Sequence, residues 1–416
     1  MKTVAGRAPL LLLLVAGACR LGEAPPPERA PTPALQRQVG IGVLVDTASA
    51  TVGASRDYEI ATLDGRVVAR GNGNVWTVSA DGSGRISGVR GGERFGPVEG
   101  PLRLRSTGAG NTMIDGRPYR GAVLIRGNAG GVTVVNVLDI EQYLLGVVPL
   151  EIGRLPASLI EAVKAQAVAA RTYAVGNLGK RRALGFDFYA TVMDQVYGGL
   201  AAEDSIVSRA VRETAGEIVT HNGRPILAYY SSTCGGRTAS VQDSWPWHPS
   251  QPYLRSVSDT IPGTNDAYCA TSSRFRWTAA WSADSLKSIL ARTLSDRLRG
   301  RRINRIERIE LTGRNRSGRA EAIRISIDGQ SHSIPADSIR WVLRPDGVRL
   351  LNSSLLFRVE SEKRGDAIHR LEISGAGWGH GIGMCQVGAI GRARAGIGYR
   401  DILRAYYTDT QITRVY

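Results

Sequence analysis

Cysteine is scarce: four residues among 416, at positions 19, 234, 269 and 385, none of them in a C-x-x-C pair. That spacing gives no support to a dedicated zinc motif. No H-E-x-x-H sequence occurs, and no serine nucleophile elbow, which removes the familiar metalloprotease and serine-hydrolase readings. Phenylalanine is rare as well, five residues against fifty glycines. Glycine with scattered Val, Ile and Thr favours many turns and short strands, so an α+β or β-rich chain is expected. Acidic residues are also short, 37 Asp+Glu against 53 Lys+Arg, a formal charge of +16. Such an excess favours an anionic partner, a wall polymer or a lipid headgroup. The arginines are spread along the chain, with their densest cluster at 297–305, and no aromatic-interleaved basic face marks a nucleic-acid binder. Beyond a short run near the N-terminus, no apolar stretch is long enough to cross a bilayer.

That short run is informative. Lys2 and Arg7 precede apolar residues 9–15, which lead into Ala16-Gly17-Ala18-Cys19. This is the basic, apolar and small-residue order of a secretory signal, predicted over 1–18. Cysteine after three small residues resembles the lipobox of bacterial lipoproteins, with Cys19 as the lipidated first residue. Ordinary cleavage nearby, after Ala24, is the plainer alternative. Pro25, Pro26, Pro27, Pro31 and Pro33 then make 19–38 a stiff tether. An exported, membrane-anchored periplasmic or extracytoplasmic protein is expected. In an oxidising compartment Cys234 and Cys269, both in loop-like sequence, are the expected disulfide, leaving Cys385 as a buried thiol. A zinc site formed by Cys234, Cys269, His380 and Cys385 is the sharper but weaker alternative, and no other cofactor is expected.

The residue pattern divides the chain. Over 39–130, short alternating segments broken by Asp64-Gly65 and Asp81-Gly82 predict a β-rich N-terminal lobe. A mixed core with a central Ala-rich helix over 158–178 follows in 131–275, where Ser158 and Glu161 have capping-box spacing. Segments 218–220 and 225–230 around Asn222-Gly223 read as a hairpin. A second lobe over 276–370 is expected to hold an amphipathic helix at 284–298 and strands at 306–312 and 320–327. Residues 371–416, a glycine-rich loop and helices, complete the core.

Within that core several residues could carry chemistry. Glu151 follows Gly146-Val147-Val148-Pro149-Leu150, where a carboxyl loses hydration and its pKa rises, the condition of a general acid. A surface glutamate at an element boundary is the bland alternative. Lys164 and Arg171 stand seven residues apart, on one face of the predicted helix, with structural ion pairing as their alternative role. Asp194, Gln195 and Tyr197 join acid, amide and phenol before Gly198-Gly199, a set suited to sugars or to anchoring a loop. Ser231 and Ser232 lie in a hydroxyl-rich, glycine-rich stretch. His380 lies between Gly379 and Gly381 in a loop that fails the dinucleotide fingerprint, because it occupies that pattern's third glycine position.

Taken together, Tyr143-Leu-Leu-Gly-Val-Val-Pro-Leu-Glu151, Glu161-Ala-Val-Lys-Ala-Gln-Ala-Val-Ala-Ala-Arg171-Thr-Tyr, Asp194-Gln-Val-Tyr-Gly, Tyr230-Ser-Ser-Thr-Cys-Gly-Gly-Arg-Thr238 and Gly379-His-Gly-Ile-Gly-Met-Cys-Gln-Val-Gly-Ala389 resemble the SpoIID/LytB family over roughly 120–416. The resemblance implies a lytic transglycosylase acting on peptidoglycan glycan strands, with Glu151 as acid/base and Lys164 and Arg171 in the same site. Asp194, Gln195, Tyr197, Ser231, Ser232 and His380 become sugar-contact candidates. Some relatives bind a metal through Cys and His, which keeps zinc open. One departure is the Ile152-Gly153-Arg154 that follows the glutamate. Rival readings are a non-catalytic, wall-binding enhancer of N-acetylmuramoyl-L-alanine amidase and a lipoprotein scaffold for other wall enzymes.

Overall fold

In the computed structural model, which describes residues 37–416, both Asp-Gly signals close antiparallel hairpins. Asp64-Gly65 joins strands Asp57–Thr62 and Val67–Asn72, and Asp81-Gly82 joins Val75–Ala80 and Ile86–Arg90. The predicted leader, Cys19 and the tether up to residue 36 lie outside the described residues. Among those described, no single helix is long and apolar enough to cross a membrane.

These hairpins belong to two sheets. One has seven strands, running in space from Phe188–Tyr189 through Gln38–Thr47, Gly131–Asp139, Ala122–Asn128, Leu102–Ser106 and Asp57–Thr62 to Val67–Asn72. The other has six, from Arg117–Tyr119 to Glu93–Val98. Trp76, Val78, Ile60, Leu104 and Ile125 are buried in strands that alternate inward and outward residues, whereas Val134 lies in a strand buried on both faces from Val132 to Asn136. The larger sheet runs past residue 130: Gly131–Asp139 lies between Gln38–Thr47 and Ala122–Asn128.

That strand delivers the core. Asp139 ends it and N-caps helix α1 (Ile140–Ile152), its carboxylate accepting from the Glu141 N–H at 2.8 Å. Helix α2 (Ile160–Asn177) is the central element, packed against α1, α3 (Ser205–Glu213), strand Glu217–His221 and helices Gln386–Arg394 and Tyr399–Tyr406. Ala162, Ala165, Ala167, Ala169, Ala170 and Ala174 are fully buried, so small side chains let neighbours approach from several sides. The capping box does not form. A 3₁₀ turn, Ala157–Leu159, absorbs Ser158, and Glu161 is drawn instead to Lys164 and the Tyr399 N–H.

The hairpin at Asn222-Gly223 is present, both turn residues having positive φ, and Gln411–Arg414 adds a third strand. Residues beyond 276 build their own core. Sheets Arg276–Ser282, Ala367–Ala376, Leu356–Arg364 and Ile306–Leu311, Ala322–Ile327, Gln330–Pro335 bury Trp281, Ile309, Ile323, Ile325, Leu371 and Ile373. Helix Ala283–Thr293 adds Leu286, Ile289 and Leu290 to that core. Strand Ala367–Ala376 then leads the chain back, and Met384–Cys385 pairs in parallel with Tyr230–Ser231. The architecture is α+β.

Candidate active site

Glu151 sits in the last turn of α1, followed by Ile152 and by Gly153, whose φ of 83° ends the helix. The departure Ile152-Gly153-Arg154 is therefore a helix stop. Three influences act on the carboxyl. Burial pushes its pKa above the ordinary 4.5, the Val196 N–H and the Gln386 side-chain amide pull it partly back, and the result is a raised value. The negative end of a helix dipole also disfavours a carboxylate. The Val196 N–H donates to Oε1 at 3.0 Å. Among the described residues Glu151 has no ion pair, so no cation offsets the cost of its charge. Exposed Leu150, Val192 and Met193 bring apolar surface to the same helix end and to the loop that supplies Val196.

Gln386 was missed by residue-level reading. It is almost fully buried, reaches Glu151, and donates from Nε2 to Gln166 Oε1 of α2 at 3.3 Å. Both glutamines lie inside the family-like stretches 161–173 and 379–389, but nothing in an isolated amide marks Gln386 as the partner of an acid more than 200 residues away. Gln166 Nε2 and Ser231 Oγ are buried without a hydrogen-bond partner among the described residues. Ser231 belongs to the strand paired with Met384–Cys385, immediately before Gln386. Unspent donors and acceptors therefore flank the elements that hold the acid.

Gln195 is a positioning residue. Tyr143 Oη donates to its Oε1 at 3.2 Å, and its Nε2 donates to Tyr230 Oη at 2.8 Å. Glu151 in turn raises the pKa of the buried Tyr230 phenol, after burial itself. Ser232 is half-buried, its hydroxyl 3.3 Å from that of Thr233.

Other sequence-predicted residues are committed elsewhere. Asp194 anchors a loop. Its carboxylate, with no exposed side-chain surface, takes Arg181 at 2.7 Å, Lys180 at 3.0 Å and the Tyr189 N–H at 3.0 Å. Tyr197 is core: its hydroxyl donates to Asn136 at 2.8 Å and its ring packs on Tyr119 and Tyr143. His380 packs on Trp245, accepts at Nδ1 from the Ile382 N–H at 3.0 Å and donates to the Tyr230 backbone. Burial, then the positive charges of Arg340 and Arg319, lowers its pKa to about 3, so it is a neutral clamp on the glycine-rich loop.

The α2 cations also lie apart from the acid. Lys164 pairs with Glu161 at 2.9 Å and Glu213 at 2.8 Å. Arg171, fully buried, grips both oxygens of Glu141 at 2.7 Å and the carbonyls of Glu217 and Val211. Among the described residues neither touches Glu151 by a hydrogen bond or ion pair. Structural pairing, the plainer role, is where the geometry places both, because the helix face they share looks toward carboxylates on α1, α2 and α3.

The expected Cys234–Cys269 disulfide is absent. Their sulfurs stand 3.6 Å apart, well beyond a bond of about 2.05 Å. All three described cysteines are free and buried, and the side chain gathered with them is Asp259, not His380.

Comparison with known proteins agrees with the motifs. The family described as Stage II sporulation protein matches residues 128–221, and one described as Domain of unknown function (DUF8618) matches 256–383. An uncharacterised protein of Brachyspira hyodysenteriae is 33% identical over 302 residues, 72% of this chain and 73% of its own length. The protein named Amidase enhancer in Bacillus subtilis is 30% identical over 65% of this chain, a stretch that covers 40% of that relative. Stage II sporulation protein D of the same organism is 29% identical, with 67% of this chain and 76% of the relative covered. On motifs and relatives together, this chain belongs to the SpoIID/LytB family.

Proposed function

We propose that this chain is a peptidoglycan lytic transglycosylase with Glu151 as its single acid/base. The observation that carries the reading is the contrast between that carboxyl's raised pKa and the absence, among the described residues, of any ion pair to it. A carboxyl that holds its proton more tightly is better suited to protonate a leaving glycosidic oxygen.

In this scheme Glu151 donates its proton to the oxygen between N-acetylmuramyl and N-acetylglucosamine units, and an oxocarbenium-like state develops at the muramyl C1. The carboxylate then takes the proton of the muramyl C6 hydroxyl as that oxygen bonds to C1. The products are a free N-acetylglucosamine 4-hydroxyl and a 1,6-anhydromuramyl end; no water is consumed, and Glu151 returns protonated. One carboxylate suffices because the nucleophile belongs to the substrate. The Val196 N–H orients Oε1, the Gln386 amide also holds the carboxyl, and Ser232 supplies a hydroxyl to sugar groups. The excess positive charge suits the anionic polymer.

A second reading draws on the relative named Amidase enhancer: the chain binds glycans and serves an N-acetylmuramoyl-L-alanine amidase without cutting them. Export and lipid attachment at Cys19 accompany both readings as part of the proposal, and a Cys19→Ser chain that leaves the membrane fraction is their check. The deciding experiment is mass spectrometry of denuded glycan strands incubated with the protein and with Glu151→Gln. Anhydromuramyl ends from the unmodified protein alone support the transglycosylase. Intact strands with both proteins, alongside glycan binding and a faster amidase, move the assignment to the enhancer.

A further inference from the structure

Three cysteines and an aspartate from four separate segments meet in the core of this protein. The Sγ atoms of Cys234, Cys269 and Cys385 and a carboxylate oxygen of Asp259 all lie within 4.8 Å of one another. All four side chains have no exposed surface. We propose that they form a closed, four-coordinate zinc site of Cys₃Asp composition.

The spacing argues first. Tetrahedral zinc with bonds of about 2.3 Å to sulfur and about 2.1 Å to oxygen has sulfur–sulfur edges of roughly 3.8 Å and sulfur–oxygen edges of roughly 3.6 Å. Cys234 Sγ stands 3.6 Å from Cys269 Sγ and 3.5 Å from Asp259 Oδ2. These are edges of a coordination polyhedron rather than the length of a disulfide.

The surroundings argue second. Cys385 Sγ accepts two backbone N–H bonds, from Cys234 at 3.2 Å and Gly388 at 3.3 Å, which suits a sulfur carrying negative charge. Asp259 turns Oδ2 to the sulfurs while Oδ1 is fixed by the Tyr406 hydroxyl at 2.7 Å and by Arg392 at 3.3 Å. Such outer partners orient metal-binding carboxylates.

Charge argues third. Arg319 is fully buried, donates to the carbonyls of Cys234 and Arg237 at 3.2 Å each, and makes no ion pair among the described residues. Among the same residues its Nε has no partner. A guanidinium buried so deeply needs negative charge nearby. Three thiolates and a carboxylate around Zn²⁺ leave two negative charges, which Arg319 and Arg392 balance.

Four protein ligands leave no position for substrate, so the metal's role is structural. Its position also bears on the acid. Cys385 caps helix Gln386–Arg394, and the next residue, Gln386, reaches Glu151. Cys234 lies just beyond Ser231 and Ser232. The site therefore ties together the two strands that border the acid.

The test is metal analysis of the full chain purified without chelator, with tandem mass spectrometry of its cysteine peptides. About one zinc per chain, and three thiols that become reactive only when zinc is released, are expected. Cobalt exchanged into the protein should give the intense visible spectrum of a tetrahedral thiolate site. Cys269→Ser should lose the metal. Because that variant could also fail to fold, Tyr406→Phe provides a second arm: it should stay folded yet hold zinc about 10-fold more weakly. A Cys234–Cys269 disulfide, a metal-free folded protein with three free thiols, or stoichiometric iron in place of zinc would each overturn the assignment.

Discussion

Helix α1 carries a glutamate at each end, and the two live in opposite surroundings. At the N-terminal end, burial works against the charge of Glu141. Arg171, the Tyr416 hydroxyl at 2.5 Å and the Gly216 N–H at 3.2 Å outweigh it, and its pKa falls below 4.5. At the C-terminal end Glu151 is also buried, but among the described residues its donors, the Val196 N–H and Gln386, are neutral, and its pKa rises. The helix dipole acts in the same sense at both ends, favouring the first charge and opposing the second. Residue type is identical; what differs is whether a cation is present. A glutamate matched by a cation ties helices together, and an unmatched one holds its proton more tightly.

The sharpest way to break that comparison is to remove each carboxyl in turn. Glu151→Gln should cut anhydromuramyl formation by about 10²–10⁴-fold and leave the melting temperature equal or higher, since an unmatched charge has gone. Unchanged turnover in this variant would end the role assigned to Glu151. At the other end, Arg171→Met leaves Glu141 buried without its cation and should cost about 3–5 kcal/mol in urea unfolding. A stable variant with lost glycan cleavage would instead return Arg171 to the active site.

Acidity distinguishes the two ends next. Glu151 has a raised folded-state pKa, so the stability it contributes is complete below 4.5 and is lost as pH rises through the raised value. Glu141 has a lowered one, so its contribution is present above 4.5 and is lost as pH falls through the lowered value. Unfolding curves across this range should therefore change slope on the neutral side in Glu151→Gln and on the acid side in Glu141→Gln. Matching slopes in both variants would remove the distinction. The smallest effect belongs to Lys164→Met. Its carboxylate partners are partly exposed, so a loss of about 1 kcal/mol is expected with glycan cleavage retained. A collapse of turnover here would show that Lys164 serves the acid after all.

Local signals were legible in the residues themselves. Asp64-Gly65, Asp81-Gly82 and Asn222-Gly223 mark turns whose chemistry is set within a few residues, and each closes a hairpin. The alanines of α2 announced a helix approached from several sides. The capping box failed because Glu161 has a better use, the Tyr399 N–H more than 200 residues away. Similarly, Lys164 and Arg171 share a helix face as their spacing requires, but which carboxylates that face meets depends on how α1 and α3 pack.

By itself, then, the sequence determined the α+β class, the strand-rich beginning, the central small-residue helix and the motifs that mark the family. Glu151 stood out for the same reason, since an acid among apolar neighbours is visible within a short window. Only the tertiary structure decided that Gln386 holds it, that Asp194, Tyr197 and His380 are spent on the scaffold, and that Cys234, Cys269 and Cys385 converge on Asp259 instead of pairing. The physical reason is range. Turn geometry and helix propensity act over a few residues, whereas burial, charge balance and coordination depend on groups that only folding brings within a few ångströms.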